Sequence, residues 1–161
     1  MKGSKKKSIG RKKITVAVSG GFDPVHVGHV RLFEAAKKLG DTLVVILNND
    51  NWLMKKKGFV FMGERERKEV IEAMRAVDRV VLTMHPKNPG DISVCAELRK
   101  IRPDIFANGG DRNKKDARKS SSSLNAEQKL CKKLGIRMVF NVGQGGKIQS
   151  SSWLVQKVKA R

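Results

Sequence analysis

Two histidines three residues apart, His26 and His29, close the segment Gly20–His29, which opens on the glycine pair Gly20 and Gly21. The segment follows directly on the apolar run Ile14–Val18 and leads directly into an amphipathic stretch. Gly20 and Gly21 permit positive φ and let a ligand approach the main chain closely. Gly28 stands where the next helix starts, and the free N–H groups and dipole of a helix start favour an anion. A phosphate suits that place, and two imidazoles across the turn would both face it. Spacing alone leaves two other roles open. One is a pair of structural histidines capping the helix; the other is a metal pair, for which no third His, Cys or carboxylate stands at ligand spacing. The loop is not a dinucleotide fingerprint, because the GxGxxG spacing is missing and no acidic residue closes a second strand where a ribose would need one.

A loop of this kind needs a strand before it and a helix after it, and the rest of the chain supplies the same alternation. Apolar runs rich in β-branched residues predict strands at Ile14–Val18, Thr42–Leu47, Arg79–Leu82, Asp104–Ala107 and Ile136–Phe140. Stretches of 3.6-residue period fall between them. Leu32, Phe33, Ala36 and Leu39 make one apolar face, stopped by Gly40, and Val70, Ile71, Met74 and Val77 make another. Ile92, Cys95, Leu98 and Ile101 line a third before Pro103, and Leu130 and Leu134 belong to a fourth that Gly135 ends. A last helix opens in Ser150-Ser151-Ser152, whose hydroxyls are good N-caps, and is expected to carry Trp153, Leu154 and Val158 inward. The predicted fold class is α/β: a Rossmann-like, doubly wound, five-stranded parallel sheet with helices on both faces. Ligands of such sheets bind beyond the carboxyl ends of the strands, where strand order reverses. The residues to read are therefore Gly20 to His29, Asn48 to Gly58, Thr83 to Gly90, Asn108 to Lys119 and Asn141 to Ser152.

With 161 residues the chain can bury roughly 70% of its unfolded surface in one core. A single domain over residues 13–161 is expected, preceded by a basic disordered tail over 1–12. No apolar run approaches the roughly 20 residues of a membrane span. The first apolar run is also too short for a signal-peptide core of about 7–15 residues, so the reading is a cytoplasmic protein. Cys95 and Cys131 each lie at helical apolar spacing without a second Cys or His nearby and read as buried free thiols. The formal charge of +20 is the outlier and invites an anionic partner. Lys2, Lys5, Lys6, Lys7, Arg11, Lys12 and Lys13 precede the first acid, Asp23, and read as a solvated arm. A second basic cluster, Arg112 to Lys119, runs into Ser120–Ser123 and reads as a mobile loop. Nucleic acid is a conceivable partner of the arm through counterion release, but aromatic residues make up 5%, Tyr is absent, and no nucleic-acid-binding signature appears.

The segment "GGFDPVHVGH" resembles the GxFDxxHxGH signature of the nucleotidyltransferase superfamily that contains the cytidylyltransferases, the mononucleotide and phosphopantetheine adenylyltransferases and the heptose-phosphate adenylyltransferases. "KIQSSSWLVQKV" resembles the superfamily's second motif, ISSS or ISTT at the start of a late helix. "RPDIFANGGDR", "LVVILNNDNWLMKKKG" and "ERERKEVIEAMRAVDRVV" resemble, in turn, the PDxxVKGGD segment, the Asn-x-Asp segment and the ER-rich helix of the heptose-phosphate adenylyltransferases. The similarity runs from about Lys13 to the C-terminus; the tail and Arg112–Ser123 lie outside it.

The resemblance implies transfer without a covalent enzyme intermediate: an acceptor phosphate oxygen attacks the α-phosphorus of a nucleoside triphosphate in line, and pyrophosphate leaves. His26 and His29 would then donate hydrogen bonds to α- and β-phosphate oxygens, with no general base required. Ser150, Ser151 and Ser152 would hold the β- and γ-phosphates. Gly20, Gly21, Phe22, Asp23 and Gly28 would contribute to the nucleotide site, as would Gly109, Gly110 and Asp111 around the ribose and base. Family members place a lysine after the second strand; among Lys55, Lys56 and Lys57 the expectation is Lys55 or Lys56, against a plain solvated loop. Asn48, Asp50 and Arg67 would serve the acceptor, although Arg65 and Arg67 are equally placed for ion pairs with Glu64, Glu66 or Glu69. His85 has no motif around it and reads as a loop residue. Mg²⁺ would accompany the triphosphate, and no metal site in the protein is expected. FDP before the histidines, SSS and GGD lean toward ATP, and Lys147-Ile148-Gln149 replaces the Arg-x-x-GIST of the cytidylyl-transferring branch; CTP with a phosphorylated alcohol is the alternative. The favoured acceptor is a sugar 1-phosphate of heptose type. Relatives of this size often form dimers or larger assemblies, and the resemblance leaves a homodimer or larger homo-oligomer open for this chain.

Overall fold

A computed structural model of the chain describes residues 10–110, 112, 114–143 and 150–159. Its strands are β1 (Thr15–Gly20), β2 (Thr42–Leu47), β3 (Arg79–Leu82), β4 (Ile105–Gly109) and β5 (Arg137–Val142). They form one sheet in the order β3-β2-β1-β4-β5, all pairs parallel. The helices are α1 (Val27–Lys37), α2 (Asp50–Lys57), α3 (Glu64–Glu72), α4 (Cys95–Ile101), α5 (Lys114–Arg118), α6 (Ser123–Leu134) and α7 (Ser151–Lys159). The order reverses at β1, whose neighbours are β2 and β4, so the first loop opens at the switch point.

Both faces of the sheet are covered, which is why its strands read as continuous apolar runs. The period of two sorts their side chains. Val16, Val18, Leu43, Val45, Leu47, Ile105 and Ala107 pack with Phe33 and Ala36 of α1 and Ile71 of α3. Ala17, Ile46 and Phe106 face the other way, onto Cys95 and Leu98 of α4 and Leu130 and Cys131 of α6. Each fully buried Val, Leu, Ile or Phe among them stabilises the fold by about 1.5–3 kcal/mol relative to exposure. Both cysteines are free and buried. No helix among the described residues is long and apolar enough to cross a membrane.

Several local expectations change. Three strands run about two residues further toward their carboxyl ends than the apolar runs do. Residues 50–57 form a helix rather than a loop, begun by Asn49, whose Oδ1 accepts the Trp52 N–H at 3.1 Å, and ended by Gly58 at φ +79. The expected mobile segment Arg112–Ser123 contains α5, with Ala117 buried. Trp153 and Val158 of α7 are 46% and 70% exposed, not inward, and Val70 of α3 also faces out. Gly40 does not end α1 through positive φ; a Cβ there would meet Val16 Cγ2 at 2.7 Å and the Ile14 carbonyl at 2.8 Å, so the turn needs a bare backbone. Of the expected disordered tail, residues 1–9 lie outside the described residues, while Arg11 and Lys12 are tied to Asp41 and Asp104 by ion pairs.

Candidate active site

The two histidines begin α1 as its cap. Gly28 donates its N–H to His26 Nδ1 at 3.1 Å, and His26 donates its own to His29 Nδ1 at 3.2 Å. This is the reciprocal logic of a capping box, carried by imidazoles. An Nδ1 that accepts a backbone N–H cannot carry a proton, so in both neutral rings the proton sits on Nε2. The rings stack with centroids 3.7 Å apart, and neither Nε2 has a hydrogen-bond partner among the described residues. Burial holds the His29 pKa down to about 3, helped by His26 and Lys57. His26 is lowered too, first by burial and then by Lys57. Capping and donation are thus not alternatives: the cap fixes the tautomer that makes each Nε2 a donor.

The glycines that precede the pair act by their bareness rather than by positive φ, which neither Gly20 nor Gly21 adopts. A Cβ on Gly20 would meet the Phe22 ring at 2.7 Å, and one on Gly21 would meet Leu53 Cδ2 at 2.7 Å. Phe22 takes the positive φ itself, +48°, a conformation that costs an aromatic residue about 1–3 kcal/mol. Its ring turns back into the core and stands edge-on to His29, centroids 4.9 Å apart, and to Phe33 at 5.1 Å. Phe22, expected at the nucleotide, is instead the buried buttress of His29.

Asp23 is likewise internal. Its fully buried carboxylate accepts the N–H groups of Phe61 at 2.7 Å and Met62 at 2.6 Å, drawing the α2–α3 connection over the first loop. Arg67, expected to meet the acceptor or a neighbouring glutamate, is fully buried. Its guanidinium donates to the carbonyls of Met62 at 2.8 Å, Gly21 at 2.6 Å and Asn48 at 2.8 Å, and to Asp50 Oδ1 at 2.7 Å. A planar fork of five donors suits that task. Arg67 and Asp50 therefore clamp the ends of β1 and β2 from behind. Asn48 is buried beside them, and its Oδ1 has no partner among the described residues.

The lysines divide by helical position. Lys55 and Lys56 are exposed on α2, and Lys55 Nζ donates to Asn88 Oδ1 at 2.7 Å, away from the histidines. Lys57 lies one turn after the buried Leu53 and is half-buried on the same side. Its Nζ donates to the Asp23 carbonyl at 3.2 Å, and its charge presses on both imidazoles. Burial lowers the Lys57 pKa, with Asp23 opposing and Arg67 adding to the fall. Of the three lysines it is Lys57, not the expected Lys55 or Lys56, that stands against the histidine loop. Reading 50–57 as a helix would have selected it, since Leu53 and residue 57 share a face.

Two further segments join this end of the sheet. Ser151 at the start of α7 donates its hydroxyl to the Pro24 carbonyl at 3.0 Å, linking the late serine motif to the histidine loop across 127 residues of sequence. Ser150 and Ser151 are buried, Ser152 is exposed, and the Leu154 N–H reaches the Ser150 carbonyl at 3.1 Å. Gly109, at the end of β4, packs so closely that a Cβ would meet Leu32 Cδ1 of α1 at 2.5 Å, and Gly110 turns the chain at φ +64. Asp111 and Lys147-Ile148-Gln149 lie outside the described residues. His85 is a structural residue: Nδ1 meets Thr83 Oγ1 at 2.9 Å and Nε2 meets the Ser93 carbonyl at 3.1 Å. Among the described residues no three His, Cys, Asp or Glu side chains gather as a metal cage. Two neutral donors, one cationic lysine and the N-termini of α1 and α7 share the carboxyl end of the sheet, an arrangement fitted to a polyanion.

The profile of the family described as cytidylyltransferase-like matches residues 17–142. The FAD synthase of Pyrococcus abyssi is 41% identical over 105 residues, 65% of this chain and 68% of that protein. The bifunctional protein HldE of Koribacter versatilis is 39% identical over 98 residues, 60% of this chain and 19% of its own length. Among solved structures, the lipopolysaccharide core biosynthesis protein of Thermoplasma volcanium superposes with TM-score 0.63 at 28% identity, over 83% of this chain and 100% of that one. The pantoate-beta-alanine ligase of Francisella tularensis, at 17% identity and TM-score 0.56 over 92% of this chain and 67% of its own, is alike in fold.

Proposed function

The chain belongs to the cytidylyltransferase-like family of nucleotidyltransferases, and from that membership we propose that it transfers AMP from ATP to a phosphomonoester acceptor and releases pyrophosphate. The observation that carries the reading is the histidine pair, neutral and fixed by its Nδ1 atoms so that both protons sit on Nε2, beside Lys57. An acceptor phosphate oxygen forms its bond to the α-phosphorus as the bond from that phosphorus to the leaving pyrophosphate oxygen breaks. Charge moves onto the leaving oxygen and spreads over the phosphoryl oxygens. Donors already in place there stabilise it without reorganising, an effect of about 3–4 kcal/mol for each such donor. His26 and His29 take that role, and Lys57 supplies the positive charge. Ser150, Ser151 and the α7 N-terminus receive the β- and γ-phosphates, and Gly109 and Gly110 leave room for the nucleoside. Mg²⁺ arrives bound to the triphosphate as part of the substrate.

ATP is favoured by the FDP, SSS and GGD patterns and by relatives named FAD synthase, a name that implies adenylyl transfer. FAD synthases join AMP to FMN, and HldE carries a heptose-phosphate adenylyltransferase domain. The chain spans about two thirds of the FAD synthases and about a fifth of HldE. Both acceptors are phosphomonoesters, and that shared chemistry is what we assign to the acceptor side. The test is pyrophosphate release by the full chain with Mg²⁺, using ATP and CTP in parallel and FMN and heptose 1-phosphate as acceptors. Turnover with ATP and one of the two is expected. Faster turnover with CTP overturns the nucleotide assignment, and silence with every pair overturns the function.

A further inference from the structure

Glu127 on α6 is 2% exposed, and nothing in the phosphate chemistry above accounts for it. Its Oε1 accepts the Val94 N–H at 3.1 Å. Its Oε2 has no hydrogen-bond partner among the described residues and faces Arg112, whose Nη1 stands 3.9 Å away. Burial pushes the Glu127 carboxyl up, with Arg112 and the Val94 N–H opposing and Asp91 adding to the rise. A carboxylate this deep is costly unless a cation answers it, so Glu127 and Arg112 hold each other. The same Nη1 lies 3.5 Å from Asn108 Oδ1 in β4. Arg112 thus reaches back across the turn it follows. Between Asn108 and Arg112 stand Gly109, pressed between Leu32 and the Val142 carbonyl, and Gly110 with its positive φ.

We propose that Glu127 is a positioning residue: acting through Arg112, it holds the Gly109–Gly110 turn against α1 and so sets how tightly the nucleoside triphosphate binds, not how fast its phosphorus is attacked. This rests on the nucleotidyltransferase reading of the same site. The geometry separates the two effects, because the anchor grips the β4 end, whereas the donors on the reacting phosphates belong to α1 and α2. Loss of the grip loosens the nucleoside's seat and leaves the donors in place.

Steady-state kinetics and melting of the wild type, E127Q, R112Q and the double variant test it. E127Q keeps the shape and an acceptor for the Val94 N–H but loses the charge. It should raise KM for the triphosphate about tenfold and leave kcat within about threefold and KM for the acceptor unchanged. Because the two residues act through each other, the double variant should be no worse than R112Q alone, within about twofold. An unchanged triphosphate KM in E127Q, or a fall in kcat and melting temperature without a KM effect, overturns the proposal. So does full additivity in the double variant. If E127Q does not fold, R112Q decides, since its side chain is partly exposed: the same KM rise is expected, and an unchanged KM overturns the proposal. A wild type that turns over no triphosphate overturns the proposed function and this inference with it; an active wild type matched by E127Q overturns the inference alone.

Discussion

The two ends of the sheet use polar residues in opposite ways. At the amino end Asp41, Asp78 and Asp104 precede β2, β3 and β4, and each carboxylate receives a backbone N–H in or just before a neighbouring strand: Ile14 at 2.7 Å, Leu43 at 2.6 Å and Thr15 at 2.9 Å. Each is also answered by a cation, Arg11, Lys37 and Lys12 respectively. Burial would raise the Asp78 carboxyl, but Lys37 and the Leu43 N–H outweigh it and the net direction is down. Asp104 is lowered first by the Lys12 hydrogen bond. Charges there are matched within the fold. At the carboxyl end the matching is left incomplete: Nδ1 of each histidine is anchored, and neither Nε2–H meets an acceptor among the described residues. The first end secures strand register, and the second presents donors held in advance for an anion.

His26→Asn is the sharpest way to divide the two functions merged at the carboxyl end. Asn is a preferred N-cap, so the Gly28 N–H keeps an acceptor and the melting temperature should fall little. The Nε2–H is lost, and kcat should fall about 10²–10³-fold, the effect of removing one preorganised donor. A rate unchanged by a well-folded His26→Asn protein would return the histidine to a purely structural role and erase the contrast between the two ends.

The histidines also make the carboxyl end the acid-sensitive one. His29 is held at about 3 in the folded chain against an ordinary value of 6.5, so below pH 6.5 the unfolded chain takes up a proton that the fold refuses. Stability contributed by this group is therefore complete above the unfolded value and is lost as pH falls from 6.5 toward 3, at up to about 1.4 kcal/mol per pH unit. The check is the free energy of unfolding by urea between pH 7 and 4.5 in wild type and His29→Gln. The variant, with no imidazole to protonate in the unfolded chain, should show the shallower slope. Equal slopes would place the acid sensitivity elsewhere.

The sequence carried the frame more clearly than the wiring. Strand positions were legible because both faces of the sheet are covered and β-branched runs have one place to go; their polar ends, such as Ser19-Gly20 and Asn108-Gly109, were not, because a neighbour's register extends them. The histidine, glycine and serine motifs pointed to one end of the sheet because spacing at strand ends survives in one dimension. Arg67 was misread for the opposite reason. Its four acceptors come from Gly21, Asn48, Asp50 and Met62, and no local pattern announces that three loops will meet around one guanidinium. Lys57 was lost with α2, a helix whose inward side amounts to Trp52 and Leu53 and whose start depends on the Asn49 cap.

Lys12→Ala, at the amino end, should have the smallest effect, and its smallness is what the comparison requires. Lys12 has a side chain 79% exposed in its pair with Asp104, and exposed pairs contribute about 0–1 kcal/mol because water and salt screen them. Asp104 keeps the Thr15 N–H without Lys12, so the β1–β4 register should survive and kcat should equal that of wild type. Urea unfolding at low and high salt reads the difference: a loss within that range that fades as salt rises is expected. A loss of several kcal/mol, or one that salt does not touch, would mean that Lys12 holds register itself, and the amino end would then depend on its ion pairs as much as on the carboxylates that bind the strand N–H groups.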